Sequence, residues 1–351
     1  MAVYRIYPEK DTTIWSKPTA AGDYGNGGLD EVLEIRSYPD DDGIGRSSRI
    51  LTKFKDRDIT SAINTKVSGA YSASLHLYLA NAIDIPVEYL LQCHPISQSW
   101  DSGVGKIADS PVNKTGTNWE YRLAGNTSAW NNLGGDFISG SYSNEQRHFT
   151  DSKHDINFDV TSFIAATQAG TIDNHGLIIK LQDSQENETT SSIKLQYFGV
   201  DTNTIFPPYL EFKWDDSSYS SALSTLSTDI ATVSIKNHKG KYTDSDKIRF
   251  RISARPKYPS RTFSTSSIYL TEYKLPQNTY WAIKDEYSEE MIIDFDTTYT
   301  KVSADDTSSY FDIFMDGLQP ERYYRLLLKT ELAGSTVVID NNNVFKVVRN
   351  G

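Results

Sequence analysis

One cysteine, Cys93, stands in 351 residues, so no disulfide framework can hold the chain together. Methionine is almost absent (three), and alanine- or leucine-rich heptads are missing, which argues against a helical bundle. No apolar run approaches the roughly 18 residues of a membrane helix. The six histidines, at 76, 94, 148, 154, 175 and 238, are scattered and form no metal-ligand spacing. No G-x-S-x-G elbow occurs. Cys93 adjoins His94, but neighbours in a strand point to opposite faces, so the two make no nucleophile–base pair. No domain carries the basic excess of a nucleic-acid binder. These absences lead us to expect a non-enzymatic protein, without nucleic-acid or membrane partners and with no cofactor, calcium excepted. The opening MAVYRIYPEKDTTIW has no basic segment followed by an apolar core, so we expect no signal peptide and synthesis in a cytosol.

What the chain has is tyrosine (22), Ser and Thr in quantity, and short runs that alternate apolar with polar residues. That composition favours strands. Its length favours two domains. Leu75, Leu77 and Leu79 alternate with His76 and Tyr78, and Leu210, Phe212 and Trp214 alternate with Tyr209, Glu211 and Lys213. Residues 215–230, DDSSYSSALSTLSTDI, have little to bury and read as a linker between domains at 1–214 and 231–351. After them, seven strand-like runs between Ile248 and Val348 read as a second sandwich.

The longest stretch with no period lies at 99–137 and holds three of the six tryptophans, Trp100, Trp119 and Trp130, among glycines. Such a loop is either pinned by its own aromatic side chains or presents them as a platform on which sugar rings stack. Asp40-Asp41-Asp42-Gly43 offers the oxygen ligands that calcium takes, although the spacing of a calcium loop is absent. Charge is uneven: the net is −11 over residues 1–216 and zero over 217–351. Within the second half, 236–261 is strongly basic and includes Arg249, Arg251 and Arg255. Residues 285–316 are strongly acidic and include Glu289 and Glu290. The two segments either face each other inside one domain or meet across copies and partners as an assembly surface.

Several ordered motifs resemble the DNRLRE-type (disaggregatase-related) domain. Ser99-Trp100-Asp101, followed by Ser128-Ala129-Trp130-Asn131-Asn132, is similar to its W-x-E … T-W-N-N signature. Gly25 and its neighbours, RSSRILTKF at 46–54, Asp159-Val160-Thr161, Asn174-His175-Gly176-Leu177 and the closing Pro208-Tyr209-Leu210-Glu211-Phe212 resemble further points of the family, in order. Asp101 and Ser102 stand where the family has its Ser/Asn-Glu pair, and Ala129 where it has Thr. The resemblance implies a jelly-roll-like β-sandwich, with a short helix capped by Asp159 or Thr161. Gly317-Leu318-Gln319-Pro320 with Tyr324 resembles the E–F corner of fibronectin III and other immunoglobulin-like domains, Tyr324 being the corner tyrosine. The combination looks like structural proteins of tailed phages. It implies an all-β virion protein of the neck, collar, tail or fibre-attachment region, made in the host cytoplasm. Its partners would be other virion proteins and copies of itself. The alternative is a pair of carbohydrate-binding modules that meet surface glycans through Trp100, Trp119 and Trp130.

Overall fold

The computed structural model describes residues 2–16, 25–123, 125, 127–189, 191–260 and 271–350. The chain is all-β. Its strands are β1 (Ala2–Ile6), β2 (Lys10–Trp15), β3 (Val32–Pro39), β4 (Gly45–Lys53), β5 (Tyr71–Leu77), β6 (Leu79–Ile83), β7 (Glu88–Pro95), β8 (Asn144–Phe149), β9 (Ile156–Asp159), β10 (Leu177–Leu181), β11 (Ile193–Phe198) and β12 (Tyr209–Trp214). They continue with β13 (Ala231–Lys236), β14 (Lys241–Thr243), β15 (Lys247–Pro256), β16 (Tyr280–Asp285), β17 (Met291–Ile293), β18 (Ser303–Ala304), β19 (Ser309–Phe314), β20 (Tyr323–Leu332) and β21 (Ser335–Val348). Among the described residues three short α-helices interrupt them: α1 (Asp56–Thr65), α2 (Thr161–Gln168) and α3 (Asp183–Glu186). The chain divides into two compact units. One comprises Ile6–Thr65 and Ser72–Glu211; the other comprises Met1–Arg5, Lys66–Tyr71 and Phe212–Gly351.

The first unit is built on an eight-stranded sheet ordered β6-β11-β3-β4-β10-β7-β8, with β2 added onto β4. Strands β1 and β2 are separated at Tyr7-Pro8-Glu9, since proline cannot donate to a ladder. Strand β10 is buried along its whole length, with β4 on one side and β7 on the other. The N-cap position of α2 falls on Val160 with no side-chain cap, not on Asp159 or Thr161 as expected; the Asp159 carboxylate accepts the Thr161 N–H at 2.9 Å, and the Thr161 hydroxyl accepts the Ala73 N–H of β5 at 2.8 Å. Gly22 to Tyr24 of the glycine-rich turn lie outside the described residues.

In the second unit one sheet runs β13-β15-β19-β18 and the other β14-β21-β20-β16-β17. These reproduce the A-B-E-D and G-F-C orders of an immunoglobulin-like sandwich. Alternation explains the layers: Phe250, Ile252 and Ala254 of β15 face Trp281 and Ile283 of β16 and Leu326 and Leu328 of β20 in one apolar core. Trp281 stacks on Phe311 with ring centres 5.4 Å apart. The corner forms as its motif implies: Pro320 follows a 3-10 turn at Met315–Gly317, and the Tyr324 hydroxyl donates to the Gln319 carbonyl at 2.8 Å.

Residues 215–230 do not hang free between the units. Tyr219 bridges Ala304, Thr225 bridges Lys274, and the Lys274 ammonium donates to the Ser221 carbonyl at 2.8 Å. The physical reason is Leu226, which is buried in the core of the second unit. Within the stretch of strand-like runs between Ile248 and Val348, residues 261–270 lie outside the described residues.

Candidate functional site

The tryptophan loop joins β7 to β8 and folds back onto the large sheet. Trp100, Trp119 and Trp130 are 2%, 9% and 5% exposed and share one apolar cluster with Ile14, Leu51, Ile96 and Ile178. The Trp100 indole N–H donates to the His175 carbonyl at 2.8 Å, and that of Trp130 to the Asn118 carbonyl at 3.0 Å. The Lys10 ammonium lies 4.3 Å above the Trp100 ring, and the Arg49 guanidinium 4.9 Å above Trp119. A sugar platform needs indole faces open to solvent. These three are covered, so the platform expected as an alternative at Trp100, Trp119 and Trp130 is not formed.

The Trp-Asn-Asn motif has a structural use. Asp136, itself buried, accepts the Asn131 N–H at 2.6 Å, the Asn132 N–H at 2.9 Å and the Asn132 side-chain amide at 2.6 Å. Cross-bonds such as Trp130 N–H to Glu120 carbonyl (2.9 Å) and Gly134 N–H to Trp119 carbonyl (2.7 Å) fix the rest.

The hub of the other half of the loop is a residue that sequence reading missed. Asn26 is 1% exposed and donates to the Ser102 carbonyl at 2.7 Å and the Thr117 carbonyl at 3.1 Å. Its oxygen accepts the Gly105 N–H at 3.0 Å and the Gly28 N–H at 3.3 Å. Glycines surround it for want of space: a Cβ on Gly103 would stand 2.4 Å from the Asn26 oxygen, and one on Gly116 would stand 2.3 Å from its nitrogen. The available signal was the pairing of Asn26-Gly27-Gly28 with the glycines of 103–116.

Behind the loop lies a buried charge cluster. Glu186 on α3 accepts from Arg49 on β4 at 2.6 and 2.7 Å, and Lys180 on β10 reaches its second oxygen at 3.1 Å. Lys180 also pairs with Asp183, and the Arg49 guanidinium donates to the Gly134 carbonyl at 2.8 Å. His94 on β7 stacks on Phe137 at 4.6 Å and shares a 2.7 Å hydrogen bond with the Ser143 hydroxyl. Burial first, and the Lys180 charge second, pull the His94 imidazole from 6.5 down to about 4. The folded chain therefore keeps this ring neutral where the unfolded chain protonates it. Its contribution to stability is present above pH 6.5 and is lost as pH falls toward 4. Between neutral pH and the lower limit, wild type is expected to lose up to about 2 kcal/mol relative to His94→Gln in denaturant titrations. Parallel pH profiles for the two proteins would refute this.

The acidic turn is closed on itself. The Asp40 carboxylate accepts the Ile44 N–H (2.9 Å), the Asp42 N–H (3.0 Å) and the Arg46 side chain (2.7 Å). Among the described residues no group of three or more His, Cys, Asp or Glu converges as a metal site. Of Asp40, Asp41 and Asp42, considered for calcium, Asp40 is thus engaged by its own turn and by Arg46.

The opposed charges of the second unit largely meet within it. Strand β15 pairs with β19, placing Arg249 opposite Asp312, and the guanidinium grips that carboxylate at 2.8 and 2.9 Å. Arg251 grips Asp305 in the same way, at 2.9 and 2.8 Å, holding its carboxyl well below the usual carboxylate range. Glu289 pairs with Arg325 at 2.6 Å and with Lys284. Glu290 is exposed beside this cluster, and Arg255 donates to the Pro256 carbonyl at 3.3 Å. Arg249, Arg251 and Glu289 are therefore engaged by neighbouring strands, which corrects their expected use as an assembly surface.

No family model matches the chain, and no curated protein matches it. Among solved structures it is similar to a DUF4785 family protein from Legionella pneumophila subsp. pneumophila str. Philadelphia 1, with 11% identity and a TM-score of 0.17. That similarity covers 98% of this chain and 66% of the other, and at this score it carries no argument about function.

Proposed function

We propose that the chain is a non-enzymatic structural protein of a tailed-phage virion. It would act in the neck, collar, tail or fibre-attachment region through contacts with other virion proteins and with copies of itself. The observation that carries this reading is the placement of the aromatic side chains. The loop tryptophans pack inward, whereas Tyr287 and Tyr323 of the second unit form an exposed edge-to-face pair with ring centres 5.8 Å apart. Lys346 lies 5.6 Å above Tyr323. Exposed tyrosine is enriched at protein contact surfaces. The ordered DNRLRE-type motifs and the immunoglobulin-like corner add to the reading, since the combination resembles phage structural proteins; the analogy of fold is the weaker support. The test is mass spectrometry of purified particles from the source that encodes the chain. Its peptides are expected at a fixed ratio to the major tail proteins. Their absence from intact particles would overturn the proposal.

A further inference from the structure

Sheet edges carry unpaired N–H and C=O groups, and proteins protect them with short strands, side-chain plugs, charges or covering segments. The second unit does this at nearly every edge. Strand β18 is two residues long and is covered by Ser218–Ser220: the Ala304 N–H donates to the Ser218 carbonyl at 2.8 Å, and the Ser220 N–H donates to the Ala304 carbonyl at 3.1 Å. At β17, three residues long, the Arg5 guanidinium plugs the Ile292 carbonyl. At β13 the Asn341 amide plugs the Val233 carbonyl at 2.6 Å. Strand β14 is three residues long.

The start of β21 is different. It pairs with β20 from Ser335 to Ile339, while β14 covers its other side at Lys346–Val348. Among the described residues no strand pairs with the outer edge of 335–339. That segment, Ser335-Thr336-Val337-Val338-Ile339, has no charge and no proline, and three of its five residues are β-branched aliphatics. Ser335, Thr336 and Val338 are exposed. The free edge ends where the ladder shifts register between Leu326 and Leu328, with Asn342 at a φ of +55°.

We propose that this edge pairs antiparallel with the same strand of a second copy, giving an isologous two-fold dimer through one continuous sheet. The argument for a second copy is self-complementarity. An uncharged strand laid antiparallel on itself brings no like charges together, and its alternate outward N–H and C=O groups meet their own mates. Thr336 and Val338 stand opposite Glu331 and Lys329 next to a two-residue turn at Ala333-Gly334, which directs their backbone groups away from β20. The contact is small, so the dimer is weak and concentration-dependent. This inference deepens the assembly reading by naming one partner and one surface.

The experiment is sedimentation of the full chain over about a hundredfold range of concentration. It is repeated with Thr336→Lys combined with Val338→Lys, and separately with Val338→Pro. Wild type is expected to shift from monomer to dimer, and both variants to bind at least tenfold more weakly with unchanged melting temperature. Amide exchange on wild type guards against variants that misfold: the Thr336 and Val338 N–H groups should slow as concentration rises. A wild-type monomer whose exchange does not depend on concentration overturns the proposal, as does a dimer that survives the charge substitutions. These readouts need no particle, so a chain absent from virions that still dimerises here would refute the virion reading alone.

Discussion

Trp130→Ala is expected to lower the unfolding free energy by about 3–5 kcal/mol, as removal of a buried aromatic does. The ring is one of three indoles that close the cluster over Ile14, Leu51 and Ile178, so its loss opens a cavity between the loop and the sheet. The substitution also takes the donor from the Asn118 carbonyl. Asn118 in turn orders the turn that follows, its side chain accepting the Glu120 and Tyr121 N–H groups at 2.9 and 2.8 Å. Damage should therefore spread along 117–134 before it reaches the strands. Denaturant melts beside a glycan array decide the matter. A variant of unchanged stability that has lost binding to a glycan held by wild type would restore the sugar-platform reading.

The strands with one buried face were legible in the sequence because alternation is a local signal. Leu75 and Leu77 sit inward on β5, but Leu79, expected on the same face, opens the separate strand β6 and is only half-buried; Leu210, Phe212 and Trp214 are buried on β12, whose expected polar face is buried as well at Tyr209 and Glu211. The tyrosine corner was legible because its turn and its partner lie within five residues. Strand β8, Asn-Glu-Gln-Arg-His-Phe, was not, since an edge strand of polar residues has no apolar period to read. Helix α1 was hidden in the same way, with only Ile59 and Ala62 buried among polar neighbours. The largest omissions are long-range polar contacts. Lys180 and Glu186 look like solvated charges until Arg49, more than a hundred residues away, is brought against Glu186. Asn26 looks like a turn residue until Ser102 and Thr117 arrive at its side chain. The basic run around Arg249 and the acidic run around Asp312 were visible, but only the β15–β19 register shows that they meet in one sheet.

Asp11→Asn is expected to stabilise the protein at about pH 8 by about 2–4 kcal/mol, with the gain shrinking toward zero near the ordinary carboxylate range. Asp11 is 2% exposed on β2. Burial, with Asp201 adding repulsion, raises its carboxyl from 3.8 to about 7, although the Val200 N–H at 2.7 Å works the other way. The folded chain thus keeps the proton over a range in which the unfolded chain has released it. Asp11 contributes stability fully below pH 3.8, and that contribution is lost as pH rises through about 7. Asparagine has the same shape, keeps an oxygen for the Val200 N–H and never ionises. It also supplies a donor next to Thr52, the residue directly opposite in the β2–β4 ladder, whose buried hydroxyl has no hydrogen-bond partner. Urea titrations of both proteins across this pH range provide the check. A difference between the two proteins that is the same at every pH would show that the carboxyl is not shifted on folding, and a variant whose deficit grows as pH rises would show a carboxylate held by attraction; either outcome defeats the argument from desolvation.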